Sequence, residues 1–287
     1  MIKMKKNSVY DNYKNLDDKK FKEAVGIPKI LFDMLVPILA SKVKIVHKKG
    51  GRTPKLCIED LLLMTLKYYR DYPTFSSISL SFGIDKSNAF RWINKIENML
   101  NDIFENLINI EIKCSDLSKK GKEITISEKI VDVTECSIQR PKNQETQREY
   151  YSGKKKKHTI KIQIIIDEIT KQIISVDFDK GSVHDFKLFK NTTEELDKTI
   201  SFLADNGYLG IQNIFEKSLT PKKKSKYNPL SDEDKEFNKL ISNIRIAVEH
   251  VNCQLKIFRI LAERYRSRIE TFNLRAILIC CFYNFCL

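Results

Sequence analysis

From Lys22 to about Leu100 the apolar positions recur at helical spacing. Phe32, Leu35, Val36 and Leu39 make one stripe, and Leu61, Leu62, Leu66 and Tyr69 make another. Between them residues 47–54 form a basic loop, and Ile58-Glu59-Asp60 opens the next helix with carboxylates where the helix dipole favours them. Phe75–Phe82 reads as a short helix and Gly83 as a tight turn. Ser87 then reads as the cap of a second helix, Asn88–Leu100, with Ala89, Trp92, Ile93, Ile96 and Leu100 as its apolar stripe. Such a pair is either an ordinary helical hairpin or a helix-turn-helix, whose second helix offers its first residues to the DNA major groove. In the second case Lys86, Ser87, Asn88 and Arg91 are the DNA-contacting candidates.

From about Glu123 the period drops to two. Ile130–Arg140, His158–Glu168 and Lys171–Asp179 read as strands, the second carrying Ile160, Ile162, Ile164 and Ile166 on one face. Val183–Lys190 starts a helix, a short strand ends at Asp205, Ile211–Lys217 begins another helix, and a long helix runs from about Asp232 to Ile260. Hairpin strands followed by strands alternating with helices predict an α+β or α/β fold with a mixed sheet. The expected organisation is a flexible tail over residues 1–20, a helical domain over 21–115 and an α/β domain over 123–287.

Composition adds the partner. The chain has 287 residues, 42% of them hydrophobic, enough for one substantial core and a smaller companion. Its formal charge of +14 favours polyanions, with nucleic acid first and an anionic membrane surface as the rival. The apolar stretch Ala276–Leu287 is too short to span a bilayer, and no apolar segment follows the basic N-terminus, so neither a membrane span nor a signal peptide is expected. The seven cysteines show no metal-binding spacing and read as free thiols of a reducing cytoplasm. Phosphate-loop, nucleophile-elbow and zinc-protease patterns are missing from the sequence.

Three carboxylates carry the chemistry. Asp132 sits in the strand Ile-Val-Asp-Val-Thr-Glu, sharing a face with Thr134, while Glu135 points the other way. Asp205 ends an apolar strand, where catalytic groups gather, and equally starts an Asp-Asn-Gly turn. Glu249 lies on one helical stripe with Arg245, Asn252, Lys256 and Arg259, which supports either a simple Arg–Glu pair or a metal ligand flanked by phosphate-binding cations. Two strand carboxylates and one helix carboxylate suit an oxygen-ligand cage for paired magnesium ions. His184-Asp185 is either a helix start or an accessory to such a site, and the lysine runs 154–157 and 222–226 are solvated turns or non-specific phosphate contacts.

These segments together resemble the DDE-type insertion-sequence transposases, most closely insertion-sequence family five. The likeness rests on the helix-turn-helix (Phe75–Leu100), Val-Asp-Val-Thr-Glu-Cys-Ser-Ile-Gln-Arg-Pro (131–141), Glu-Tyr-Tyr-Ser-Gly-Lys-Lys-Lys-Lys-His-Thr-Ile-Lys (149–161), Gly-Ser-Val-His-Asp-Phe-Lys-Leu-Phe (181–189), Ala-Asp-Asn-Gly-Tyr (204–208) and Val-Glu-His-Val-Asn-Cys-Gln-Leu-Lys (248–256). The resemblance implies an RNase H-like catalytic domain with the Asp132 and Asp205 strands side by side, and Asp132, Asp205 and Glu249 as catalytic, metal-binding triad. The family's Tyr-x-x-Arg-x-x-x-Glu-x6-Lys signature falls on Arg245, Glu249 and Lys256, with Ser242 at the Tyr position.

It further implies two Mg²⁺ ions, with Mn²⁺ able to substitute, cleavage of element ends, and attack of the freed 3′-OH on target DNA. Double-stranded DNA is then the partner, at least a homodimer the working assembly, and the nucleoid of the cytoplasm the location. The alternatives are a DNA-binding protein of the same fold that has lost its chemistry, and a nuclease without strand transfer.

Overall fold

The computed structural model describes residues 8–48, 50, 54–107, 128–224 and 229–287. Residues 1–7, half of the basic 47–54 loop, Cys114, Lys226 and the proposed boundary between 115 and 123 lie outside them. The chain forms two compact units: one comprises residues 1–110 with Lys256–Ala262 and Leu274–Cys286, the other Glu111–Leu255, Glu263–Asn273 and Leu287. In chain order the helices of the leading segment are α1 (Asp18–Val25), α2 (Lys29–Lys48), α3 (Ile58–Asp71), α4 (Phe75–Ser81) and α5 (Lys86–Leu107). Then come β1 (Lys129–Ser137), α6 (Gln144–Tyr150), β2 (Tyr151–Ser152), β3 (Lys157–Asp167), β4 (Ile173–Lys180), α7 (Asp185–Thr192) and β5 (Phe202–Leu203). α8 (Asp232–Leu255), α9 (Arg259–Ala262) and α10 (Phe272–Asn284) close the sequence of elements.

In the first unit the expected stripes become the core. Phe32, Leu39, Leu61, Leu62, Leu66, Tyr69, Ala89, Ile93, Ile96 and Leu100 are all fully buried. The Thr74 hydroxyl accepts the Ser77 N–H at 3.1 Å and caps α4. Gly83, at φ 61°, makes the left-handed turn to α5 that a side chain would resist. α5 starts two residues earlier than the sequence suggests: the Asp85 carbonyl accepts the Ala89 N–H at 3.0 Å, so Ser87 lies inside the first turn and is not its cap.

Residues 8–20 are folded where a loose tail was expected. Asp60 is buried on α3 and needs donors, which the Ser8 hydroxyl and the Tyr10 N–H supply at 2.8 Å each. The Tyr10 ring stacks on Phe32, centroids 5.1 Å apart.

The first unit also takes in residues expected to complete the second. Phe258 and Phe282 pack together, and Phe282 meets Phe104 edge-on. Arg275 and Glu97, both almost wholly enclosed, form an ion pair at 2.8 Å, and the guanidinium lies over the Tyr68 ring. Burial pushes the Glu97 carboxyl up, opposed by the Arg275 charge.

The second unit is built on a five-stranded mixed sheet. β1 pairs antiparallel with β3 along its whole length, from Lys129↔Asp167 to Ser137↔Thr159. β4 runs antiparallel to β3, and β5 runs parallel to β1 through Lys129↔Phe202 and Ile130↔Leu203. A parallel partner needs a crossover, here the β4–α7 excursion. Phe189 of α7 packs with Val131, Ile165, Phe202, Tyr208, Ile211 and Phe215 in a core over one sheet face. α8 packs against β1.

Three expectations need adjustment. β3 is buried on both faces, not one, because α7 covers the side bearing Lys161 and Gln163. Only a 3₁₀ turn, Ile211–Asn213, stands where a helix to Lys217 was expected; it starts on left-handed Gly210 and drops Ile211 and Phe215 into the core. α8 ends at Leu255, short of Ile260. Among the described residues no cysteine forms a disulfide, and no single helix is long and apolar enough to cross a membrane.

Candidate active site

Asp132 lies near the middle of β1, and Asp205 follows β5, so the parallel pairing of these strands brings two carboxylates to adjacent strands. Asp205 does two jobs at once. Its Oδ1 accepts the Gly207 N–H at 2.7 Å, making the Asp-Asn-Gly turn, while the carboxylate remains only partly buried. A Cβ at Gly207 would meet the Asp205 Oδ1 at 2.8 Å and lie in ordinary contact, 3.8 Å, with Asp185 Oδ2, so both carboxylates approach this glycine.

α8 brings the helix residues. Arg245 reaches Asp132 Oδ1 at 3.7 Å, and Asn252 donates its side-chain N–H to Asp132 Oδ2 at 2.9 Å. The simple Arg245–Glu249 pair is not formed; the guanidinium turns to the strand carboxylate instead. Glu249 lies between these two residues on the same helical stripe and is exposed. Among the described residues, no three acidic, His or Cys side chains stand close enough together to share one ion as they are placed.

The electrostatics show a surplus of negative charge. Burial pushes the Asp132 carboxyl up to about 6; the Arg245 charge opposes this, and the Asp205 and Glu249 charges reinforce it. Three buried polar atoms beside these groups have no partner among the described residues: Arg245 Nε, Asn252 Oδ1 and the Tyr208 hydroxyl. Burial, reinforced by Asp132, Asp185 and Asp205, drives the Tyr208 hydroxyl well above the usual tyrosine range. A hard divalent cation with its water fits this donor set, because carboxylate oxygens are its preferred ligands and it would neutralise the repulsion.

The accessory candidates divide. His184 caps α7, its Nδ1 accepting the Phe186 N–H at 3.3 Å. Asp185 instead takes the ammonium of Lys161 at 2.5 Å, a lysine only 8% exposed on β3. The sequence pattern did not single out Lys161, Asn252 or Tyr208 as site residues. A lysine inside an isoleucine run and an asparagine one turn after Glu249 were the available signals.

In the first unit, Lys86, Ser87 and Arg91 are exposed at the start of α5, whereas Asn88 is half-buried, its side-chain N–H donating to Asp85 at 3.3 Å. Lys256 follows the last residue of α8 and falls in the first unit, and Ser242 is exposed on α8.

Residues 54–106 match the helix-turn-helix of DDE superfamily endonucleases, and residues 131–284 match the DDE superfamily endonuclease itself. The class is thus that of metal-dependent enzymes acting on DNA, with an RNase H-like catalytic fold. Over 272 residues the chain is 40% identical to the probable transposase for insertion sequence element IS702 of Microchaete diplosiphon, covering 95% of this chain and 96% of that relative. The chain belongs to the DDE superfamily endonucleases, among the insertion-sequence transposases.

Proposed function

We propose that the protein cuts the ends of its own insertion sequence and joins the freed 3′-OH to target DNA, with Asp132, Asp205 and Glu249 as the triad. The observation that carries this reading is the convergence on Asp132: Arg245 and Asn252 from α8 both touch it, and Asp205 and Glu249 both act on its charge. Asp132, Asp205 and Glu249 would hold two divalent cations, Mg²⁺ or Mn²⁺, which supply Lewis-acid activation and charge neutralisation at the scissile phosphate.

The chain's own groups do the positioning. Asn252 and Arg245 fix both oxygens of Asp132, so the carboxylate keeps one orientation as charge accumulates beside it. Asp205 is held through its turn to Gly207, and Lys161 compensates Asp185 next to it. The Tyr208 hydroxyl stays protonated and is available as a donor within this acidic group. Lys86, Ser87 and Arg91 are the proposed major-groove contacts, with Asn88 shaping the helix start; Lys256 is a proposed phosphate contact. The bounds 21–115 and 123–287 remain the proposed sequence limits of the two functions. A homodimer or higher assembly holding two DNA ends, working at the nucleoid, completes the reading.

The test is divalent-ion-dependent cleavage of a labelled duplex carrying the gene's own flanking ends, with Asp205→Ala alongside. Cutting by the wild type alone supports the triad, and a joined product from a pre-cut end supports strand transfer. Binding by both proteins with cutting by neither would favour a DNA-binding protein that has lost its chemistry.

A further inference from the structure

The lysine run at 154–157 has a placement that a merely solvated turn does not require. It closes the β2–β3 hairpin: the Lys155 N–H donates to the buried Ser152 hydroxyl at 3.1 Å, and the Lys156 N–H to the Ser152 carbonyl at 2.8 Å. Lys156 sits at φ 54°, a left-handed conformation that glycine adopts more easily. All four lysines are exposed, and none forms an ion pair with a carboxylate among the described residues. Like charges packed into one turn repel, so a fold gains nothing from them unaided.

The surroundings reinforce the charge. Between residues 140 and 157 stand seven basic side chains and two acidic ones, and one of the two, Glu149, is already paired with Lys180 at 2.7 Å. Arg140, Lys142 and Arg148 are exposed on the segment leading into β2. Beside the turn, Tyr151 is 43% exposed and meets His158 edge-on across the hairpin. This end of the sheet is therefore basic and partly aromatic, unlike the acidic group around Asp132.

The register gives the separation. Asp132 lies opposite Ile164, and β3 runs without irregularity from there back to the lysine turn at Lys157. Seven residues of strand span at most about 24 Å, equal to about seven base pairs of duplex. We propose that the Lys154–Lys157 turn, with Arg140, Lys142 and Arg148, is a second DNA-contact surface that grips the phosphates of a duplex no more than about seven base pairs from the phosphate being cut. The surface belongs to the second unit, whereas the helix-turn-helix belongs to the first, and it rests on the cleavage reading above. It reads backbone, not sequence, and its role is to seat the duplex at the carboxylates.

The test uses the full-length protein, a fluorescent 40-base-pair duplex bearing one element end, and a variant with Lys154, Lys155, Lys156 and Lys157 all changed to Gln. A companion with all four changed to Arg keeps the charge. Each lost phosphate contact lowers the slope of log K against log salt by about 0.9. The Gln variant is expected to lose about 2–4 from the slope, the Arg variant to keep it, and hydroxyl-radical protection to vanish only within about seven base pairs of the cut. Its thermal melting should match wild type. If wild type cuts while the Gln variant retains both slope and protection, the surface is overturned and the triad stands. If wild type neither binds nor cuts, the cleavage reading falls and takes the surface with it.

Discussion

Each unit contains an arginine paired with a carboxylate, and the two pairs are built differently. Arg275 and Glu97 meet at 2.8 Å, with side chains 1% and 2% exposed. Asn94 takes a further guanidinium N–H at 3.4 Å, and Tyr68 covers the guanidinium from one side. Arg245 and Asp132 meet at 3.7 Å, with side chains 15% and 20% exposed. There, among the described residues, Arg245 Nε and Asn252 Oδ1 have no partner, and two further carboxylates act on Asp132. The first pair is closed and fastens helices together. The second keeps unspent hydrogen-bonding capacity and excess charge, the condition of a site that awaits a ligand.

The strongest challenge to that contrast is to remove charged groups from each side. Asp205→Ala should lower end cleavage by at least about a thousandfold, since metal charge stabilisation is worth several kcal/mol, while end binding in a gel-shift assay changes little. Arg275→Met leaves Glu97 buried without its cation and should cost about 3–5 kcal/mol in urea unfolding. Arg245→Met should cost only about 1 kcal/mol by the same measurement, because its pair is longer and wetter. Equal losses for the two arginines would erase the distinction.

A subtler probe is Asn252→Ala. With Asp132 free to turn, Mn²⁺ affinity measured by calorimetry should weaken about 10- to 100-fold, with melting nearly unchanged. Unaltered Mn²⁺ binding would show that Asn252 does not hold Asp132 for the ion. The smallest expected effect is at Ser87. Since it lies inside α5 and not at its cap, Ser87→Ala should change stability by less than about 0.5 kcal/mol; a loss near 1 kcal/mol would restore the capping role.

Much of this was readable beforehand. The Ile-rich alternation marked β3, the carboxylates after Ile58 marked the start of α3, and the run Ala89 to Leu100 marked the buried side of α5. What escaped was decided by neighbours distant in sequence. Lys161 and Gln163 looked like the wet side of β3, yet α7 covers them and offers Asp185 and Thr192 to their polar heads. α10 is apolar over most of its length, which reveals burial but not the identity of what buries it. Asp132 and Glu249 stood out as carboxylates, whereas the use of Arg245 and Asn252 to orient Asp132 depends on how α8 packs on β1.

The membership of residues 256–262 and 274–286 in the first unit has a consequence for the order of synthesis. A ribosome delivers α1–α5 long before Arg275, the partner of buried Glu97. The opening segment must therefore wait, incompletely packed, while the whole second unit is made. A chain truncated before residue 274 lacks that arginine, so a stop codon there also unsettles the helix-turn-helix encoded far upstream of it.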